Sequence, residues 1–294
     1  MSDANEPGLD FRAHADFTAA RAKAFFRSLL AFLTGQPNEL LAFDQVKEKL
    51  HVGGPIYRGV QTVPLAQIIG SVDRYKDFDR AFLPVQDFTA ERWRRVSRAW
   101  YQDLHLPPIL LYKVGQVYFV VDGHHRVSVA REQGQAYIDA DVRECAVRVP
   151  VTPDLGPDDL EVLGEKVEFL ERTGFDRLRP GAPLDATILG GYDRMLEHIA
   201  VHRYFMGLEF QRDIADDEAV THWYDSVYGL IAAVIRDSGL LERFPGRTET
   251  DLYLWVLDHR HYLVSQGQAD WVEPGQAAEE FVRAYREKAA KEDT

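Results

Sequence analysis

The chain has one cysteine, Cys145, among 294 residues. A single thiol excludes an intrachain disulfide and any zinc site built on paired cysteines, and it fits a reducing compartment. No apolar run approaches the ~20 residues of a membrane helix. The N-terminus, MSDANEPGLDF, lacks the basic-then-apolar order of a secretory signal. These absences lead us to expect a soluble, cytoplasmic protein with no membrane association. GxxxxGK[ST] and GxGxxG are both missing, so neither a P-loop nor a dinucleotide fingerprint is available. Fixed-period repeats and low-complexity segments are missing too.

What is present is enough apolar material, 46%, for a packed core. The net charge of -13 is unevenly spread. Residues 1–150 hold 19 Lys+Arg against 18 Asp+Glu, and the rest hold 15 against 29. An acidic half repels a phosphate backbone. DNA is therefore a disfavoured partner, although a local basic groove in the first half is compatible with these numbers.

In order, the pattern predicts a polar tail (1–9) and a helix (10–34) with Phe17, Phe25, Leu29, Phe32 and Leu33 on one face. A short helix (39–50), a strand (57–63) and a helical turn (64–69) follow. Residues 70–87 read as a charged loop pinned by Phe78, Phe82 and Leu83. Thr89 is a plausible N-cap for a helix (89–103) that carries Arg92, Arg95 and Arg98 at spacings of three. Strands are expected at 108–114 and 116–121, then a helix (124–133) ended by Gly134, and strands at 138–142 and 147–151. Pro153, Gly156 and Pro157 mark a linker. Beyond it the chain reads as helices at 158–173, 193–209, 218–238, 248–266 and 276–291. The expected class is α+β: an N-terminal helical segment (1–56), a small mixed sheet with helices (57–151) and an acidic α-helical domain (152–294).

Asp122-Gly123-His124-His125-Arg126 stands where a hydrophobic strand gives way to a helix. A helix start presents unpaired N–H groups and a partial positive charge, and so favours an anion. Gly123 lets the backbone approach a ligand. Arg126 can take a phosphate bidentately. His124 and His125 project differently, so one can face the ligand while the other supports it. Asp122 can cap the helix or hold a divalent ion carried by a nucleotide.

The run LPPILLY…YFVVDGHHRVSVAREQG…IDADV resembles the ParB/sulfiredoxin-like superfamily over about residues 57–145, with Val63 to Ile68 similar to its first strand and turn. The DGHxR form looks most like the free-serine-kinase branch. The resemblance implies a site for ATP, ADP or CTP with Mg²⁺, in which Gly123, His125 and Arg126 match the phosphate-binding turn. His124 stands where sulfiredoxin has its cysteine, so that chemistry has no nucleophile here. The acidic helices do not look like the DNA reader of partition ParB.

The expectation is therefore a nucleotide-binding protein that carries out Mg²⁺-dependent phosphoryl transfer, on a small-molecule acceptor, or nucleotide hydrolysis. Arg74, Arg95 and Arg98 would complete the phosphate cage. His124, Asp77 and Asp122 would serve the chemistry, with Asp122 also on the metal and Asp73 or Asp79 as further base candidates. The alternative is a non-catalytic regulatory or DNA-associated module gated by nucleotide. In the second half, His198 and His202 share a helix face at a spacing that also suits metal ligation, and His222, His259 and His261 accompany them. Tyr253, Trp255 and Tyr262 read as core.

Overall fold

Ile109–Val114 and Val117–Asp122 are short, nearly continuous apolar runs, the pattern of strands covered on both faces. Gly115, at φ +60°, turns the chain tightly between them. In the computed structural model, which describes residues 6–35, 37–265 and 274–292, this hairpin is the centre of a six-stranded mixed sheet. The elements of the first unit are α1 (Glu6–Thr34), β1 (Leu41–Ala42), α2 (Phe43–Lys49), β2 (Pro55–Pro64), β3 (Ile68–Ser71), α3 (Ala90–Tyr101), β4 (Ile109–Val114), β5 (Val117–Asp122), α4 (His124–Glu132) and β6 (Tyr137–Cys145). The strand order is β1-β3-β5-β4-β6-β2. β1, β3 and β5 run parallel to one another, β4 is antiparallel to β5 and parallel to β6, and β2 is antiparallel to β6.

The parallel pairing of β3 with β5, with Ser71 opposite Val120, matters most for function. It brings both strands' C-terminal ends, and the loops leaving them, to one edge of the sheet. In open α/β sheets such an edge is where ligands collect.

The protein divides into two compact units, Met1–Leu160 and Glu161–Thr294. In the first, the α1 stripe Ala13, Phe17, Ala20 and Ala24 is buried, and Phe17 meets Trp93 of α3 edge to face at 5.6 Å. Trp93 Nε1 donates to Ser128 Oγ of α4 at 2.9 Å, so the polar end of a fully buried indole is satisfied. The second unit is helical. Most of α5 (Pro157–Thr173) is followed by α6 (Phe175–Leu178), α7 (Gly191–Phe210), α8 (Asp216–Trp223), α9 (Gly229–Asp237), α10 (Glu249–Ser265) and α11 (Pro274–Glu292). A π-helical turn, Tyr224–Tyr228, joins α8 to α9. At the start of α10, Thr248 Oγ1 accepts the Asp251 amide (3.2 Å) and Asp251 Oδ2 accepts the Thr248 amide (3.0 Å), a reciprocal capping box.

The structure corrects several sequence expectations. The first helix begins at Glu6, inside the expected tail, while residues 1–5 lie outside the described residues. Phe25, Leu29, Phe32 and Leu33 are exposed; the face that packs is the alanine stripe. Residues 68–71 form β3, and 147–151 form no strand. The 218–238 helix is interrupted by the π turn, where one extra residue enters the helical ladder. Thr89 does not cap α3: its backbone is already helical and its hydroxyl donates to the Gln86 carbonyl at 2.6 Å. Among the described residues no helix is long and apolar enough to cross a membrane.

Candidate anion site at the start of α4

Gly123 is the hinge of the site. Its φ of +103° lies where side chains are strained, and a Cβ there would stand 2.3 Å from Ile109 Cγ2. Only glycine lets β5 turn into α4 against β4. The first intrahelical bond is Val127 N–H to the Gly123 carbonyl at 3.0 Å, so the His124, His125 and Arg126 amides precede the helical ladder. No side chain caps this end.

The two histidines have different surroundings. His124 is 4% exposed, and its Nε2 lies 2.7 Å from Ser71 Oγ, which also accepts the Arg74 amide at 3.0 Å. The ring also hydrogen-bonds the backbone of Val120 and stacks on Phe78 at 6.2 Å. Burial pushes its pKa down to about 4 against the pull of Asp73, whose Oδ1 is 3.5 Å from Nε2. His124 is thus a neutral, fully partnered support.

His125 has both ring nitrogens shut off from solvent, and among the described residues neither has a hydrogen-bond partner. Its pKa falls to about 4, first through burial and then through the positive fields of Arg74 and Arg92 and the coupling to the neighbouring His124 ring. Phe78 meets the ring edge to face at 5.4 Å. Leaving a buried donor and acceptor unpaired costs about 1–3 kcal/mol. Such groups call for an explanation.

The other expected residues are placed as follows. Arg126 donates to the Pro107 carbonyl (2.5 Å), the Pro108 carbonyl (3.1 Å) and Asp122 Oδ2 (2.6 Å). Its guanidinium therefore staples the start of β4 to the start of α4. Asp122 is engaged by Arg126 and does not cap the helix. Arg74 sits within 3.5 Å of Asp77 beside His125. Asp79 is buried, accepting the Ala81 and Leu83 amides and Arg27. Burial raises its pKa, and its partners show it to be a loop organiser. Arg95 is 69% exposed on Glu91, and Arg98 holds Asp10 at 2.6 Å. Arg92, which has no hydrogen bond or ion pair among the described residues, is the α3 arginine whose charge reaches His125.

Sequence reasoning missed Ser71. Its signal was present: a small polar residue between Ile68-Ile69-Gly70 and a charged loop is the usual end of a short buried strand. Asp73 and Asp122, both exposed and both acting on His124, are the carboxylates beside the turn that could serve a divalent ion, since Mg²⁺ held mainly by other ligands needs only one or two from the protein. Among the described residues no group of three or more His, Cys, Asp or Glu is arranged to hold a metal by itself.

In the second unit His198, His202 and His222 are satisfied by one another and by their neighbours. His198 Nδ1 meets Tyr253 OH at 3.0 Å, and His202 Nε2 meets His222 Nδ1 at 2.8 Å. His259 packs on Phe281 at 5.6 Å, while the side chains of His261 and Tyr262 lie outside the described residues. No protein-family model matches the chain, and no curated protein matches it.

Proposed function

We propose that the start of α4 binds the phosphates of a nucleotide, ATP, ADP or CTP, and that His125 with the first α4 amides forms the anion seat. The observation that carries this reading is the His125 ring, buried at both nitrogens, without a hydrogen-bond partner among the described residues and within the fields of Arg74 and Arg92. An incoming phosphate supplies the missing acceptor, compensates Arg74 and Arg92, and sits on the positive end of the helix. The protein offers an internal parallel. α7 also starts after a left-handed glycine, Gly190, and there the carboxylate of Glu165 accepts the glycine amide at 2.7 and 2.9 Å. At α4, among the described residues, no carboxylate takes that place. The resemblance to ParB/sulfiredoxin-like proteins points the same way.

A second reading, phosphoryl transfer or hydrolysis, is favoured by Asp73, whose carboxylate stands 3.5 Å from His124 at the open side of the turn. It can hold Mg²⁺ on the bound phosphates or take a proton from an acceptor hydroxyl. The regulatory alternative uses the same seat without that step. Thermal shift with each nucleotide, with and without Mg²⁺, tests the seat: stabilisation by RT ln(1 + [L]/Kd) is expected. His125→Leu removes it, and no shift with any nucleotide overturns the proposal. Phosphate release then separates the catalytic reading from the regulatory one, and DNA binding, if any, is recognised by its steep salt dependence.

A further inference from the structure

α1 carries two different stripes. The buried one, Ala13, Phe17, Ala20 and Ala24, packs on its own unit. The other is Phe11, Ala15, Thr18, Ala22, Phe25, Leu29 and Phe32, alternately four and three residues apart, and every one of these residues is exposed. This is heptad spacing sustained over three repeats, with no charge in the seam, the pattern by which one helix pairs with another. Thr18 directs its hydroxyl back to the His14 carbonyl at 2.9 Å, so the seam is apolar there too. Phe25 and Phe32 are 67% and 84% exposed, and Phe26, Leu30 and Leu33 flank them. Together the four phenylalanines and three leucines leave on the order of 800 Å² of apolar surface in water. That exceeds the roughly 300–600 Å² patch of an ordinary monomer and equals about one partner's share of a standard interface.

We propose that this seam is a dimerisation face, occupied by α1 of a second copy running antiparallel. Side-chain size sets the direction. Small residues fill the middle and large ones the C-terminal part. A two-fold axis at Ala22 sets Ala15 against Leu29, Thr18 against Phe26 and Ala19 against Phe25, so large meets small through the middle of the contact, while Phe11 against Leu33 and Phe32 against the stem of Arg12 close its ends. Parallel pairing would set Ala15, Thr18 and Ala22 each on its own copy and leave a void beside a crowded Phe25–Phe32 end. Charge agrees: the antiparallel arrangement lays the half bearing Asp10 and Asp16 beside the half bearing Arg21, Lys23 and Arg27. Only the long-range field is involved, because Asp10, Lys23 and Arg27 already have partners within the chain.

The test is the molar mass of the full chain by light scattering, followed by cysteine cross-linking; the one native thiol, Cys145, is buried and silent. A dimer is expected for the wild type, and a monomer with unchanged circular dichroism for the double variant Phe25→Glu/Leu29→Glu. Under oxidation, Ala22→Cys should give a disulfide-linked dimer and Ala15→Cys none. A wild-type monomer overturns the proposal. So does a dimer that survives Phe25→Glu/Leu29→Glu or is broken by Phe205→Glu on α7, and cross-linking through Ala15→Cys overturns the antiparallel direction.

Discussion

The two units each bury a histidine that burial pushes to a pKa of about 4, His125 in the first and His198 in the second. The shifts are alike and the surroundings are not. His198 has Tyr253 OH at 3.0 Å, and that hydroxyl is further held by Trp223 Nε1 at 3.1 Å, so the ring belongs to a closed aromatic network. His125 has nothing on either nitrogen. A depressed pKa therefore reports burial in both places, and only the missing partner distinguishes the proposed seat from a packed ring. The glycines that start α4 and α7 repeat the contrast, one helix start left open and the other closed by Glu165.

The largest effect of a single substitution should come from those glycines. At Gly123 an added methyl meets Ile109 in a backbone region hostile to side chains, so Gly123→Ala should cost about 3–5 kcal/mol, combining strain and overpacking. Gly190 has the same handedness at φ +78° but open space around it, and Gly190→Ala should cost about 1 kcal/mol. Urea unfolding followed by fluorescence measures both. Equal costs would mean that β4 is not pressed against the turn.

Acid should act next. His124, His125 and His198 titrate near 4 when folded and near 6.5 when unfolded. Between those values the unfolded chain holds more protons. Stability is thus complete above about pH 6.5, declines as pH falls toward 4, and loses no more through these groups below that. Each histidine contributes on the order of 3 kcal/mol across the window. Phosphate should break the symmetry, because an anion raises the pKa of His125 and leaves His198 alone. Proton NMR titration of the two rings, with and without phosphate, reads this directly; equal movement of both would count against a seat at α4.

Much of this contrast could be read from the chain. The Asp-Gly turn between an apolar run and a helical pattern marked β5, α4 and β6, and with them Gly123, His124 and His125. β1 and β3 escaped, because Leu41-Ala42 and Ile68–Ser71 are too short to show a period of two, and parallel partners are far apart in sequence. With β3 went Ser71. The outward side of α1 was misread for another reason: periodicity says which residues share a face, and not which of two apolar faces meets the body. The arginines of α3 show the same limit, since equal spacing hides that Arg95 and Arg98 already have carboxylates.

Removing histidines should give smaller effects of opposite sign. His125→Leu relieves two unpaired nitrogens, and about 1 kcal/mol of added stability is expected together with loss of the phosphate response. His198→Leu leaves Tyr253 short of a partner and should cost about 1 kcal/mol. Denaturant midpoints at pH 7.5, where both rings are neutral, make the comparison free of titration. If His125→Leu destabilises, the ring is a core residue and the contrast between the units fails.

The smallest expected effect carries the same logic to the arginines. Arg92 has no ion pair among the described residues and its field reaches His125, whereas Arg95 is tied to Glu91 at 3.2 Å in solvent. An unpartnered cation beside an anion seat contributes to the ligand, and a paired exposed one contributes little to anything. Arg92→Ala should weaken phosphate or nucleotide binding by about fivefold, near 1 kcal/mol, and Arg95→Ala should leave it unchanged, both read by titration calorimetry at fixed salt. The two side chains stand one helical turn apart on the same element, so a nonspecific effect of lowering local positive charge would weaken binding in both. A loss confined to Arg92→Ala would tie α3 to the turn at Gly123, and a loss confined to Arg95→Ala would move the seat away from His125.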